Sequence, residues 1–270
     1  METETNVALL IPVFNDQDGL IRSVNSLRNE TLPTTIIIVD DGSSIPIIPP
    51  TPPSPHKIEL LRLPKNEGIE IALNHGINWA IENKYKYIAR LDSGDINLPN
   101  RIKKQVDYLE SHPECAMVGG QIKIIDEDNN EIAVCHYPTD YSKIVRVIHY
   151  RNPFAHPAIM YRTEIFLDIG MYSKNYPAAE DYELFFRITQ KYCSSNLEDF
   201  VIGYTLNTKG ISMQKRRKQL VSGLKIMLKY FDPWKPESYL GLIKNIVMLG
   251  LPNSLNWMLK KTLCPSRKLL

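Results

Sequence analysis

Apolar runs of four to eight residues recur through the first hundred positions, separated by stretches in which apolar residues return every three or four places. Short continuous runs suit strands covered on both faces, and the longer period suits the helices that cover them. The first unit pairs VALLIPV (7–13) with a helix near 18–29, where Leu20, Val24 and Leu27 share one face and Asp16 or Asp18 caps the start. Strand TIIIVD follows, then IELLRL, a helix over about 69–83, strand YKYIARLD, and a helix near 99–111 opened by Pro99. Between the second and third strands, IPIIPPTPPSPH holds six prolines, which remove backbone donors and keep the chain extended as a stiff exposed loop.

After Pro113 the pattern changes. AMVGGQIKIID, the turn-prone EDNN and EIAVCHY predict a β-hairpin, followed by a short helix around 140–149. Helix and strand then mix to about residue 208. The last fifty residues carry basic and apolar positions at helical spacing together with Trp234 and Trp257, which predicts two amphipathic helices. Those helices either pack on the core or lie on a membrane surface. The whole reads as an α/β fold with a mostly parallel central sheet and flanking helices: a catalytic domain over 1–220 and a helical appendage over 221–270.

Composition narrows this picture. A chain of 270 residues, 43% apolar and 23% charged, can bury a sizeable core. Its net charge of +2 gives no general attraction for nucleic acid, and KRRK at 215–218 is too short a basic stripe to supply one. Cys115, Cys135, Cys193 and Cys264 lack zinc or disulfide-framework spacing and are read as reduced thiols. VALLIPVF is too short and lacks the basic start of a signal peptide. YLGLIKNIVMLGL (239–251) falls short of the roughly 20 residues that cross a bilayer. A cytoplasmic protein is expected, with the inner membrane face as its one candidate membrane contact.

In an open parallel sheet, ligands bind beyond the carboxyl ends of the strands. Here those ends read PVFN (12–15), VDDGS (39–43) and LDSGD (91–95), so several polar side chains converge on one crevice. A single Asp after a strand is usually a turn or cap residue. Three such ends in register suit a nucleotide, if some carboxylates accept base or ribose hydrogens and others hold a divalent cation against a diphosphate. Further on, AAEDYELFFRI places Glu180 and Asp181 at a helix start, where they either compensate the helix dipole or aim a general base into the crevice.

These motifs, with NEGIEIALNHG (66–76) and LDSGDINLPNR (91–101), resemble the family 2 glycosyltransferases with the A-type nucleotide-binding fold, over about residues 6–220. The resemblance implies an inverting, metal-dependent transfer of a hexose or N-acetylhexosamine from a nucleotide diphosphate sugar, uridine-linked by first guess, to a glycan or lipid-linked glycan in surface polysaccharide or lipopolysaccharide assembly. By it, Pro12, Phe14 and Asn15 border the nucleotide, Asp40 accepts from the base, and Asn66 and Gly68 sit at the loop near the base. Asp92 faces ribose or phosphate, whereas Asp41 is a loop residue. Asp181 is the base that deprotonates the acceptor hydroxyl, with Glu180 as acceptor contact or orienter.

The acidic triplet departs from the family form, because Gly94 stands where a metal-facing carboxylate is usual. Asp95 with Asp92 is then the metal site for Mg²⁺ or Mn²⁺, since diphosphate oxygens and water complete an octahedron. His156 in NPFAHPAIMYR is either structural or a substrate contact. Lys215 and Arg216 either stabilise the leaving diphosphate or form a solvated helix face. Two other functions fit less well. A sugar nucleotidyltransferase needs a glycine-rich basic loop after its first strand, which PVFNDQDG lacks. A non-catalytic sugar-nucleotide-binding module agrees with Gly94 but leaves the Glu180 and Asp181 pair without a task.

Overall fold

The computed structural model describes residues 6–206 and 216–251. In chain order the elements are β1 (Val7–Val13), α1 (Gln17–Asn25, prolonged by a 3-10 turn over Ser26–Asn29), β2 (Thr35–Asp40), β3 (Lys57–Arg62), α2 (Ile69–Glu82), β4 (Tyr87–Arg90), β5 (Ile96–Asn97) and α3 (Arg101–Ser111). Then follow β6 (Cys115–Ile125), β7 (Glu131–Cys135), α4 (Tyr141–Val147), β8 (Met160–Arg162), α5 (Ile165–Ile169), α6 (Glu180–Lys191), β9 (Cys193–Thr205), α7 (Arg216–Lys229) and α8 (Pro236–Gly250).

One sheet runs β3-β2-β1-β4-β8-β6-β9-β5, with β7 paired to β6. Strands β3, β2, β1 and β4 are mutually parallel. Beyond β4 the sheet is mixed: β8 runs antiparallel between β4 and β6, while β6 and β9 are parallel. Alternate residues of β1 explain why the inner strands read as unbroken apolar runs. Ala8 and Leu10 enter one core with Ile37, Val39, Leu73 and Ile77, whereas Leu9 and Ile11 enter the other with Leu20, Val24, Ile36 and Ile38. Strand β3 differs because it is the edge; Leu60 is largely exposed.

Helix α1 starts where expected, and the choice of cap falls on Asp16, whose carboxylate accepts from the Gly19 backbone N–H. Helix α2 lies close on the sheet because Gly76 has no side chain: a Cβ there would stand 2.2 Å from Leu10 Cδ1. Helix α3 begins at Arg101 rather than Pro99, since Asn100 takes a left-handed backbone with φ 57° just before it. The hairpin forms as β6 and β7, joined by a turn in which Asp126 accepts from the backbone N–H groups of Asp128 and Asn130. The proline-rich loop is extended and is tied to α1 by a reciprocal pair of hydrogen bonds between Gln17 and the Ile48 backbone. Helix α7 spans the expected domain boundary, and its Ile226 and Met227 are buried in the same core as α2 and α6. Among the described residues, no helix is long and apolar enough to cross a membrane.

Candidate functional site

The carboxyl ends of β1, β2 and β4 lie side by side, and the loops leaving them are bound to one another. Asn15, with a left-handed φ of 51°, donates its backbone N–H to Ser43 Oγ, and its side-chain oxygen accepts from the Ser44 N–H. That geometry leaves Phe14 46% exposed at the rim, beside half-buried Pro12. An aromatic ring so exposed at a strand end is available for stacking.

Asp40 is fully buried at the end of β2, and its carboxylate accepts from the Ser43 N–H (2.9 Å), the Ile47 N–H (3.3 Å) and Arg62 Nη1 (3.0 Å), its register partner on β3. Both oxygens brace the loop after β2. Asp41, also buried, accepts from the N–H groups of Glu67 and Gly68 and so ties the same loop to the start of α2. Gly68 is the N-cap of α2 with φ 97°, and Asn66 stands exposed beside it.

At the end of β4, Arg90 is 2% exposed and its Nη2 lies 2.6 Å from Asp92 Oδ1. Its Nε and Nη1 are buried without a hydrogen-bond partner, an arrangement that keeps a guanidinium charge concentrated beneath the crevice. Asp92 itself is one-third exposed. The Gly94 φ of +92° turns the backbone so that Asp95 points inward rather than alongside Asp92. Asp95 Oδ1 accepts from the Thr205 N–H on β9, and Oδ2 is sealed without a partner. Burial, followed by the Asp92 charge, pushes the Asp95 carboxyl well above the usual carboxylate range. The two carboxylates are thus differently placed, Asp95 in the interior and Asp92 nearer the surface. Asp92 remains as the carboxylate open to the crevice, and the space above Gly94 is open, its nearest neighbour being Asp16 Oδ2 at 4.0 Å from a Cβ position.

The other wall comes from α6 and the segment before β8. Glu180 is 6% exposed and Asp181 partly exposed. The N-cap of α6 is Ala179, which supplies no side-chain cap, while Asp181 Oδ1 accepts from the Tyr182 N–H and Oδ2 from Asn152 Nδ2 at 2.9 Å. One carboxylate thus serves the first helical turn and is also fixed by the neighbouring segment of the same wall. Burial, then the charge of Asp181, raises Glu180 to about 8; burial also raises Asp181. His156 Nε2 lies 2.8 Å from the Tyr172 hydroxyl, which is 3.1 Å from that of Tyr161. Burial and then the charge of Arg90 hold His156 well below its usual value, so its ring is neutral near pH 7. Arg216 is turned away, bound to Gln219 and to Met248 of α8, and Lys215 lies outside the described residues.

Three further participants are not among the site residues expected from the sequence. Arg90 links both walls, since its charge acts on Asp92, Glu180, Asp181 and His156. Asn152 opens the NPFAHP segment and orients Asp181. Asn74, inside NEGIEIALNHG, exchanges two hydrogen bonds with the backbone of Tyr172 and so fixes the His156 partner. The available signal was position, immediately before an acidic strand end for Arg90 and at the head of a proline-rich bend for Asn152.

A mixed sheet with nucleotide-type strand ends on one wall and a carboxyl pair on the other defines an A-type transferase architecture. The chain belongs to glycosyl transferase family 2, whose model matches residues 8–170. It is 30% identical over 171 residues to a glycosyltransferase of Haemophilus influenzae, covering 60% of this chain and 62% of that one. It is 32% identical over 195 residues to the O-antigen biosynthesis glycosyltransferase WbnJ of Escherichia coli, covering 69% and 74%. It is also 22% identical over 224 residues to the Escherichia coli UDP-Gal:alpha-D-GlcNAc-diphosphoundecaprenol beta-1,3-galactosyltransferase, covering 82% and 80%. In fold it is similar to S. aureus TarS 1–349 in complex with UDP-GlcNAc (TM-score 0.66, 16% identity, 95% of this chain and 76% of that one). It is likewise similar to the mannosyltransferase PcManGT from Pyrobaculum calidifontis in complex with GDP-Man and Mn²⁺ (TM-score 0.61, 13% identity, 95% and 73%).

Proposed function

We propose that this protein transfers a hexose or N-acetylhexosamine from a uridine diphosphate sugar to a hydroxyl of a glycan or lipid-linked glycan during surface polysaccharide assembly, with inversion at the anomeric carbon. The observation that carries the reading is the Glu180–Asp181 pair: a partly exposed carboxylate oriented by Asn152, beside a buried carboxyl, facing a crevice whose opposite wall is made of nucleotide-type strand ends. The name of WbnJ supports the biosynthetic setting, and the diphosphoundecaprenol galactosyltransferase supports a lipid-linked acceptor. The UDP-GlcNAc complex of TarS supports the donor class.

On this reading, Phe14 and Pro12 border the base, Asn15, Asn66 and Gly68 line its rim, and Asp40 and Asp41 stiffen the loops that carry them. Asp181 accepts the proton of the acceptor hydroxyl as that oxygen attacks the anomeric carbon and the bond to the diphosphate breaks, in one displacement. Asn152 keeps the carboxylate pointed at the acceptor. Glu180, raised to about 8, adds little second negative charge beside Asp181 near pH 7. Arg90 favours the ionised state of Asp181 while holding Asp92 in place. One protein carboxylate suffices for a hard cation whose other ligands are diphosphate oxygens and water, so Asp92, without Asp95, would hold Mg²⁺ or Mn²⁺, which supplies positive charge at the leaving diphosphate.

Calorimetric titration with uridine, guanosine and thymidine diphosphates, followed by transfer from the matching sugar nucleotide, tests this. Uridine diphosphate binding with transfer lost in Asp181→Asn supports it. Absence of binding to every nucleotide would make the chain a non-catalytic member of the fold.

A further inference from the structure

Helix α8 packs through Ser238, Gly241, Asn245 and Met248, with Leu242 against the core, and the side that faces out is apolar too. Ser238, Gly241 and Asn245 are buried, with Gly241 so close that a Cβ would stand 2.2 Å from the His149 carbonyl. Tyr239, Leu240, Ile243, Ile246 and Val247 are all about half exposed, at the i, i+3, i+4, i+7 spacing of one helical stripe, and Trp234 at the preceding turn is 91% exposed. A contiguous apolar face of this kind marks an interaction site rather than ordinary surface.

The charge around the stripe selects its partner. Helix α7, packed alongside, contains no acidic residue and presents Arg217, Lys218 and Lys225 outward, interleaved with exposed Val221 and Leu228. The one acid of α8, Glu237, is ion-paired with Arg146. A cationic flank beside an exposed apolar stripe complements a surface that is anionic in its headgroups and apolar just beneath, which is the interface of a bilayer rich in acidic phospholipid.

The seat of α8 also joins this face to the chemistry. Lys244 Nζ donates to the Tyr150 carbonyl, and Ser238 Oγ lies 3.0 Å from His149 Nδ1. Two residues further along the same segment, Asn152 holds Asp181. Helix α7 is likewise fastened to the acceptor wall, through Ser222 to the Pro177 carbonyl and Lys229 to Glu183 of α6.

We infer that the outer face of α7 and α8 docks on an anionic phospholipid bilayer, as a monotopic contact that sets the acceptor wall of the site toward the membrane surface. This deepens the lipid-linked reading of the acceptor and rests on it only for its purpose; the docking itself is measured without nucleotide or acceptor. The test is flotation of the full chain with vesicles of phosphatidylglycerol and phosphatidylcholine, against phosphatidylcholine alone. Expected are flotation with the anionic vesicles, at least a tenfold loss in Ile243→Glu/Val247→Glu, and a several-fold loss in Arg217→Glu/Lys225→Glu. Uridine diphosphate binding and transfer to a water-soluble acceptor, both without vesicles, should stay unchanged in each variant. If the first variant fails to fold, the second, altered only at exposed positions, decides together with the salt dependence of wild-type flotation. Three results overturn the inference. Wild type does not float; the variants float as well as wild type, which assigns binding elsewhere, such as residues 252–270; or the face instead mediates self-association, seen by sedimentation without lipid and abolished by Ile243→Glu/Val247→Glu.

Discussion

Replacing Glu180 with Gln should make the fold less sensitive to pH, and in a direction opposite to that of most salt-bridged carboxylates. Glu180 ionises at about 8 in the folded chain, against an ordinary 4.5, because burial and then Asp181 oppose its charge. Below 4.5 both folded and unfolded chains hold the proton and the group contributes nothing to the pH dependence. Between 4.5 and 8 only the folded chain holds it, so stability falls as pH rises through that window and levels off above it. At about 1.36 kcal/mol per pH unit, the interval sets a ceiling on the order of 5 kcal/mol. Part of the rise depends on a charged Asp181, which is itself raised, so we take roughly 2 kcal/mol for the Glu180 share. Urea denaturation of wild type and Glu180→Gln at intervals from pH 5 to 9 reads this directly. The variant should lie within about 1 kcal/mol of wild type at pH 5 and be more stable by roughly 2 kcal/mol at pH 8.5. The contribution of Asp95 is common to both proteins and cancels in the difference, whereas that of Asp181, which repels Glu180, is part of it. A difference that stays constant from pH 5 to 9 would refute a protonated Glu180.

Asp181→Asn should lower transfer by roughly 10²–10⁴-fold with little change in uridine diphosphate affinity, measured by initial rates and calorimetry on the same preparation. Mn²⁺-stimulated nucleotide binding should be lost in Asp92→Asn and kept in Asp95→Asn; an equal loss in both would return Asp95 to the metal site. Gly76→Ala should destabilise the fold by about 1–3 kcal/mol in urea denaturation, because the added methyl meets Leu10 Cδ1 at 2.2 Å and Val39 Cγ2 at 3.2 Å and α2 must shift on the sheet.

How legible each part was depends on whether its signal is local. The parallel half of the sheet announces itself because β1, β2 and β4 are buried on both faces and β1 and β2 carry continuous apolar runs. Strand β8 is only three residues long and is defined by its antiparallel partners β4 and β6, a relation that no local period records. The same distinction runs through the site. An acidic residue after a strand is visible, but its direction is not: Asp40 and Asp92 stand at equivalent strand ends, yet one is consumed by Arg62 and two backbone N–H groups and the other is open to the crevice. Asp95 turns inward after the positive φ of Gly94, an angle that no sequence pattern records. Arg90, apolar in its surroundings and charged in its chemistry, looks in sequence like an interruption of a buried strand.

That interruption organises the electrostatics of the cleft. Burial and then Asp92 push Asp95 well above the usual carboxylate range, burial and then Asp181 raise Glu180 to about 8, and the Arg90 charge opposes both shifts and that of Asp181. One buried guanidinium thus acts on carboxyl groups of both walls, and is itself paired with Asp92. On the proposed reading, an acid at position 94 would add a further negative charge above the same floor; Gly94 leaves that space open, so that a cation held by Asp92 and the field of Arg90 would receive the diphosphate. Gly94 and the burial of Asp95 are consequently two aspects of one arrangement: the position that lacks a carboxylate also carries the positive φ after which Asp95 enters the interior, its Oδ1 held by the Thr205 N–H.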